Sequence, residues 1–451
     1  MLSLPPDEMR RLGYRVVDRI VEHFETVGEQ PPVRVGDAAE LRAALGGPPP
    51  EQPGDAGEAL DALFDQVLPF VQHGDHPRFF ARVGSPSNYA SVLADSAAAG
   101  LNVFAASWTG GSGPATVELV VLDWLRQICG LPEGSEGVLV SGGSVGTLVA
   151  LAAARTARFG DRAPEEAVAY VSSQGHPSIP RALRVLGFGP GQIRTIEAGQ
   201  DHRLTPAAVR AAVAADRLPF CLVANAGTTS TGAVDPLAEL AEVCADHGLW
   251  LHVDGAYGAP AALCGAVTGL EHADSLVLDP HKWLFQPYEI GCVLVREAGL
   301  LERTFALSAA VLRDVTGGAV NFRDRSVQLS RTSRALKLWL SLRVFGLAAF
   351  RAAIERGIAL AEHAEAVLRG RPGWEVVSPA QLAIVCFRRD GDDALQTAIA
   401  AAMVRDGFAV PSTTELAGRV ALRLCTINPR TTFGDVERTI ERMESVSGSC
   451  G

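Results

Sequence analysis

Residues 138–155 read VLVSGGSVGTLVALAAAR: a short apolar run, a Ser-Gly-Gly-Ser turn, then a stretch of good helix formers. A strand fed straight into a helix is the unit from which α/β sheets are built. The same alternation extends outward, from about residue 89 to 342. Apolar runs at 137–140, 167–171, 220–224, 250–253, 275–278 and 291–295 read as strands. Stretches at 147–159 and 236–247 are long enough to be crossover helices, so a mainly parallel sheet is expected.

Upstream, Met9, Leu12, Val16, Ile20 and Phe24 recur at helical spacing behind Pro5-Pro6, predicting a helix from Pro6 to Phe24. The Pro/Gly-rich GGPPPEQPGDAG at 46–57 reads as a connector, and GEALDALFDQVLPFV at 57–71 as a second helix. Residues 1–88 thus form a helical arm with too little apolar surface to fold alone. It is expected to pack on another surface, such as a second subunit. Residues 89–342 form the large domain. Residues 343–451 form a small α+β domain, entered by a long helix (roughly 335–369), with strands near 374–377, 383–388 and 420–424. No internal repeat is present.

At 451 residues, 47% hydrophobic and 20% charged, the chain can bury a large core. The net charge of −11, without a dense Lys/Arg stripe, argues against nucleic acid as a partner. The eight cysteines stand singly, with no C-x-x-C pair, which fits a reduced compartment rather than a disulfide framework or zinc knuckle. The start MLSLPPDEMRR lacks the apolar core of a secretory signal, and apolar stretches break before a membrane span. A soluble cytoplasmic protein is expected.

Three motifs stand at expected carboxyl ends of strands, where open α/β sheets place ligands. In SGGS, Gly142, Gly143 and Ser144 bring backbone N–H groups and a helix N-terminus to an anion, although a plain serine-capped turn reads the same way. In LWLHVDGAYGAP (249–260), Asp254 ends an apolar strand and small residues follow. A carboxylate there can face a protonated heteroaromatic nitrogen, with Ala256 letting a flat ring lie close, or it can cap a helix. His252 is read as lying on the opposite side of the strand, which leaves a metal without suitable partners. In DSLVLDPHKWLF (274–285), Lys282 follows a buried strand beside Asp279 and His281. Burial is expected to lower its pKa and prepare it as a Schiff-base nucleophile. A phosphate cradle, a pyridinium partner and such a lysine are the set that pyridoxal phosphate needs.

These blocks resemble the pyridoxal-phosphate decarboxylases related to aromatic-L-amino-acid, histidine and glutamate decarboxylase. The resemblance runs from about His76 onward, through HPRFFA, SWTGGSGPATVELVVLDWL, SGGSVGTLVALAAAR, NAGTTSTGAVDPL, LWLHVDGAY and DPHKW. It implies the aspartate-aminotransferase-like type I fold, pyridoxal 5'-phosphate as cofactor, an amino acid substrate, and a homodimer with active sites at the interface. By resemblance, Lys282 carries the cofactor and Asp254 partners its ring nitrogen. Ala256 and His176 (in SSQGHPSIPRA) flank the ring. Gly143, Ser144 and His281 hold the phosphate with Asp279 nearby, and Thr229 assists around Asp254. The substrate pocket falls on Arg82, Val83, Gly84, Ser85, Phe104 and Ala106, pointing to an aromatic or bulky amino acid. Decarboxylases of this family place a loop tyrosine over the site as a proton donor. Aligning AVNFRDRSVQLSRTSRALKLW (319–339) with that loop puts Phe322 there, which implies an aldehyde-forming, oxygen-consuming outcome as the alternative to an amine.

Overall fold

The structure, a computed structural model, describes residues 2–307 and 319–448. The large sheet contains β1 (Glu136–Val140), β2 (Ala167–Ser172), β3 (Ile193–Ile196), β4 (Leu218–Asn225), β5 (Trp250–Asp254), β6 (Ser275–Leu278) and β7 (Gly291–Val295), in the order β1-β7-β6-β5-β4-β2-β3. Only β7 pairs antiparallel, with β6 on one side and β1 on the other. The mainly parallel α/β fold is therefore as expected. Strands β1, β2 and β4 to β7 coincide with the six apolar runs, because strands covered by helices on both faces are apolar throughout. β3 escapes such a reading: it is a four-residue edge strand with two exposed residues.

A second sheet, ordered β10-β11-β9-β8, is built from β8 (Trp374–Gln381), β9 (Ile384–Arg389), β10 (Ser412–Leu416) and β11 (Arg419–Cys425). It packs Val385, Phe387, Leu422 and Leu424 against Leu360, Leu368, Met403 and Ile440. The helix leading into it spans Ala335–Arg369 and is kinked at Gly346, whose φ of 73° suits glycine. Phe80 also belongs to this core, its backbone bonded to Val410 and Cys425.

The helix Pro6–Thr26 buries none of its residues. Its ion pairs Arg15–Asp61 and Arg19–Asp65 are exposed. Met9, Tyr14, Val17 and Val21 are exposed as well.

Strand β1 is a sheet edge, yet it is buried, and its outward backbone groups need partners. Charged side chains supply them. Leu139 N–H donates to Glu118 Oε1 at 3.0 Å, while Arg331 Nη2 donates to Leu139 O at 2.6 Å and to Glu118 at 2.8 Å. Arg325 Nη1 reaches Gly137 O, two residues back on the same edge, at 3.4 Å. Glu118 and Arg331 have side chains with no solvent exposure. They act as a surrogate strand that fixes the residues leading into Ser141-Gly142-Gly143. Replacing Arg331 by Met should leave Glu118 buried and unpaired, lowering unfolding free energy by about 3–5 kcal/mol. Chemical denaturation of Arg331→Met would expose the idea as wrong if stability were unchanged.

Candidate active site

The carboxyl ends of β1, β2, β4, β5 and β6 converge on one cavity of ≈ 290 Å³. It is lined by Gly142, Gly143, Ser144, His176, Thr229, Asp254, Ala256, Asp279, His281 and Lys282, so every residue expected to touch the cofactor comes to one place. Asn225 and Asp254 end β4 and β5 in register, side by side.

Lys282 Nζ lies 3.0 Å from Asp279 Oδ2, and His281 Nε2 lies 3.5 Å from the same oxygen. Burial alone would push the Lys282 amine down, but the carboxylates of Asp279 and Asp254 outweigh it and hold the amine above its ordinary value. This corrects the expectation of a lowered lysine. In the protein's own field, the amine is kept charged between two acids. His281 is pushed down by burial, against the pull of Asp279. Its Nδ1 accepts from Ile290 N–H at 3.3 Å, and its carbonyl accepts from the Ser85 hydroxyl.

The glycine turn is a steric requirement. A Cβ on Gly142 would meet His281 Cε1 at 3.0 Å, and one on Gly143 would meet Asp279 Oδ2 at 3.0 Å and Ala256 Cβ at 3.2 Å. Gly142 also has φ 157° and caps the helix Gly143–Phe159, whose first N–H groups open into the cavity.

His176 also lines the cavity. Its Nδ1 accepts from Ser178 N–H at 3.2 Å and lies 2.7 Å from Ser178 Oγ. Burial lowers its pKa, so the neutral ring carries its proton on Nε2. His252 shares the face of Asp254, since strand residues two apart point the same way. The reading that put it on the opposite side is wrong. It is fully buried, Nδ1 lies 2.9 Å from Ser275 Oγ, burial pushes its pKa down to about 4, and among the described residues it belongs to no group that could hold a metal.

Gln174, Ser178, Asn225, Thr228 and Tyr257 also line the cavity and were not singled out in the sequence. Asn225 is held by Asp235, which accepts its backbone N–H at 2.7 Å and its amide Nδ2 at 3.1 Å. Its place at the head of NAGTTSTG, straight after an apolar run, is the signal that could have found it.

The expected substrate set is not brought to this cavity. Arg82 and Phe104 are exposed, Val83 packs against the core, Gly84 and Ser85 are buried, and Ala106 has no exposure. Phe322 contradicts its expected role outright. It is 1% exposed, with the Arg331 and Arg325 guanidinium carbons 5.2 and 5.9 Å from its ring centroid. Its segment is tied to residues 105–108: Arg323 N–H donates to Ala106 O, Ala105 N–H to Arg331 O and Trp108 N–H to Asn321 Oδ1, each at 3.0 Å. A ring buried there cannot cover a site. The alignment read a packed segment as a loop over the cavity, and residues 308–318, just upstream, lie outside the described residues.

The donor set fits pyridoxal phosphate. A lysine amine, a carboxylate 8% exposed at a strand end, and a glycine cradle at a helix N-terminus share a cavity of suitable size. Gly143→Ala should overpack that cradle by about 1–3 kcal/mol. Titrating stripped protein with pyridoxal phosphate should then show affinity roughly ten- to a hundredfold weaker; unchanged affinity would refute the cradle.

Comparison with known proteins agrees with this geometry. The family model described as the pyridoxal-dependent decarboxylase conserved domain matches residues 46–390. The chain is 44% identical to an aromatic-L-amino-acid decarboxylase of Bacillus atrophaeus, covering 99% of this chain and 97% of that protein. It is 31% identical to a phenylacetaldehyde synthase of Arabidopsis thaliana, covering 85% and 82%. Among solved structures, Oryza sativa TDC with PLP and tryptamine superposes with a TM-score of 0.94 at 28% identity, covering 100% of this chain and 99% of the other. The chain belongs to the pyridoxal-dependent decarboxylase family.

Proposed function

We propose that this enzyme decarboxylates an aromatic L-amino acid to carbon dioxide and the corresponding amine. The observation that carries the reading is the opening of Lys282, Asp254 and the Gly142–Gly143 turn into one cavity. The 44% identity to an aromatic-L-amino-acid decarboxylase supports the substrate class.

Lys282 would hold the cofactor through its amine, Asp254 would face the ring nitrogen, and Gly143, Ser144 and His281 would hold the phosphate. When bound, pyridoxal phosphate supplies the electron sink for the pair released as the bond from Cα to the carboxylate breaks. Asp254, 8% exposed, would hold a proton on that ring nitrogen. Asp279 holds the proton of Lys282 at 3.0 Å. Ala256 lies against one face of the site, and His176 offers an Nε2–H at the other. Tyr257 stacks on Trp283 with centroids 5.0 Å apart, and its oxygen accepts Ala383 N–H at 2.9 Å.

Phe322, inside the core, lends no support to an aldehyde product. Incubation with phenylalanine, tyrosine and tryptophan, in air and without oxygen, should yield amine and carbon dioxide in equal amounts and no peroxide. Phe322→Tyr should leave the product unchanged, and Lys282→Ala should abolish turnover. Peroxide and aldehyde in step with carbon dioxide would establish the oxidative route instead, and inertness toward all three amino acids would remove the substrate class.

A second copy of the chain is part of this reading. The helix Pro6–Thr26 leaves Met9, Tyr14, Val17 and Val21 exposed, and Phe104 is 42% exposed, free to reach a neighbouring copy's cavity. Sedimentation should return twice the chain mass; an active monomer would contradict it. Among the described residues no helix is long and apolar enough to cross a membrane, and the seven described cysteines are free, in keeping with a cytoplasmic setting.

A further inference from the structure

We propose that His23, His73 and Asp75 form a binding site for a divalent transition-metal ion of the zinc class, which fastens the N-terminal helix to the body of the chain. One ligand atom from each residue lies within 4.8 Å of the other two. His23 Nε2 is 2.8 Å from Asp75 Oδ2, and the two imidazole rings lie 5.1 Å apart, tilted by 37°. Two imidazoles and a carboxylate are a donor set zinc accepts, with ligand bonds of about 2.0–2.2 Å and a solvent molecule as fourth ligand. Small side-chain rotations bring three atoms this close to such spacing.

An ordinary ion pair explains His23 and Asp75 but not His73. Among the described residues, the His73 imidazole makes no side-chain hydrogen bond, yet it is half-buried beside a second imidazole. Its backbone is fixed: His73 N–H donates to Pro32 O at 2.8 Å, Val33 bridges Gln72, and His76 N–H closes a turn onto His73 O at 3.0 Å. His23 lies in the last turn of the helix Pro6–Thr26, whose negative end favours a cation. A cavity of ≈ 680 Å³ opens beside both histidines and offers a route for a hydrated ion. Arg19 and Arg34 also line it, with Glu22 and Asp65 as opposing charges. The ion's charge is therefore met by Asp75 and the helix end.

The test uses tag-free holoenzyme dialysed against chelator, then titrated with cobalt(II) chloride and afterwards zinc chloride. One cobalt per chain should bind with a visible ligand-field band that zinc displaces, and zinc should raise the melting temperature. His73→Ala, which breaks no hydrogen bond, and His23→Gln should each weaken cobalt binding at least about tenfold, with decarboxylation retained. Absence of a saturable band, or a band that survives in both variants, overturns the proposal.

Discussion

The Asp279 carboxylate is the constraint around which the site is arranged. It holds the Lys282 amine at 3.0 Å inside the protein, where an unpaired charge would be costly. Once that carboxylate sits there, the neighbouring chain has little freedom. A Cβ on Gly143 would come within 3.0 Å of one of its oxygens, and a Cβ on Gly291 within 2.9 Å of the other and 2.6 Å of the Gly142 Cα. The glycines of β1's turn and the first residue of β7 are thus consequences of one acid at the end of β6. The backbone openness that suits a phosphate follows from room made for a charge pair.

Much of this was legible in the sequence, for a physical reason. Central strands of a helix-covered sheet are apolar on both faces, so their ends are marked by the first polar residues, and those residues carry the chemistry. Asp254, Asp279 and Lys282 stand out in that way. β3 and β10 do not, because edge strands keep polar residues: IRTI exposes its two middle residues, and STTEL alternates with solvent exposure. The state of Lys282 was also beyond reach. Its direction depends on how near Asp279 first, and Asp254 second, come to the amine, and sequence spacing carries no such distance.

Phe322 shows how a local alignment can fail when its partners are distant. The FRDR stretch looks polar enough for a surface loop. In the fold, Arg325 and Arg331 turn inward to cap the edge of β1, and Phe322 packs beside their guanidinium groups. Charge read from a sequence suggests solvent. Here the unpaired backbone of a buried edge strand and the Glu118 carboxylate together offset the cost of burying the Arg331 guanidinium.

The arm uses charge in the opposite way, and with a different consequence. Its ion pairs to residues 61 and 65 are exposed, and pairs of that kind contribute about 0–1 kcal/mol each. That is too little to order a 21-residue helix with no buried residue. Arg430 over the Phe24 ring at 4.7 Å and the Phe24–Tyr89 edge contact anchor its last turn, and Arg19 over the Phe64 ring at 5.3 Å adds a contact one turn back. Met9, Tyr14, Val17 and Val21 stay exposed, so the helix has room to gain order from a further surface, and the histidine pair at its end stands where a cation would tie it down.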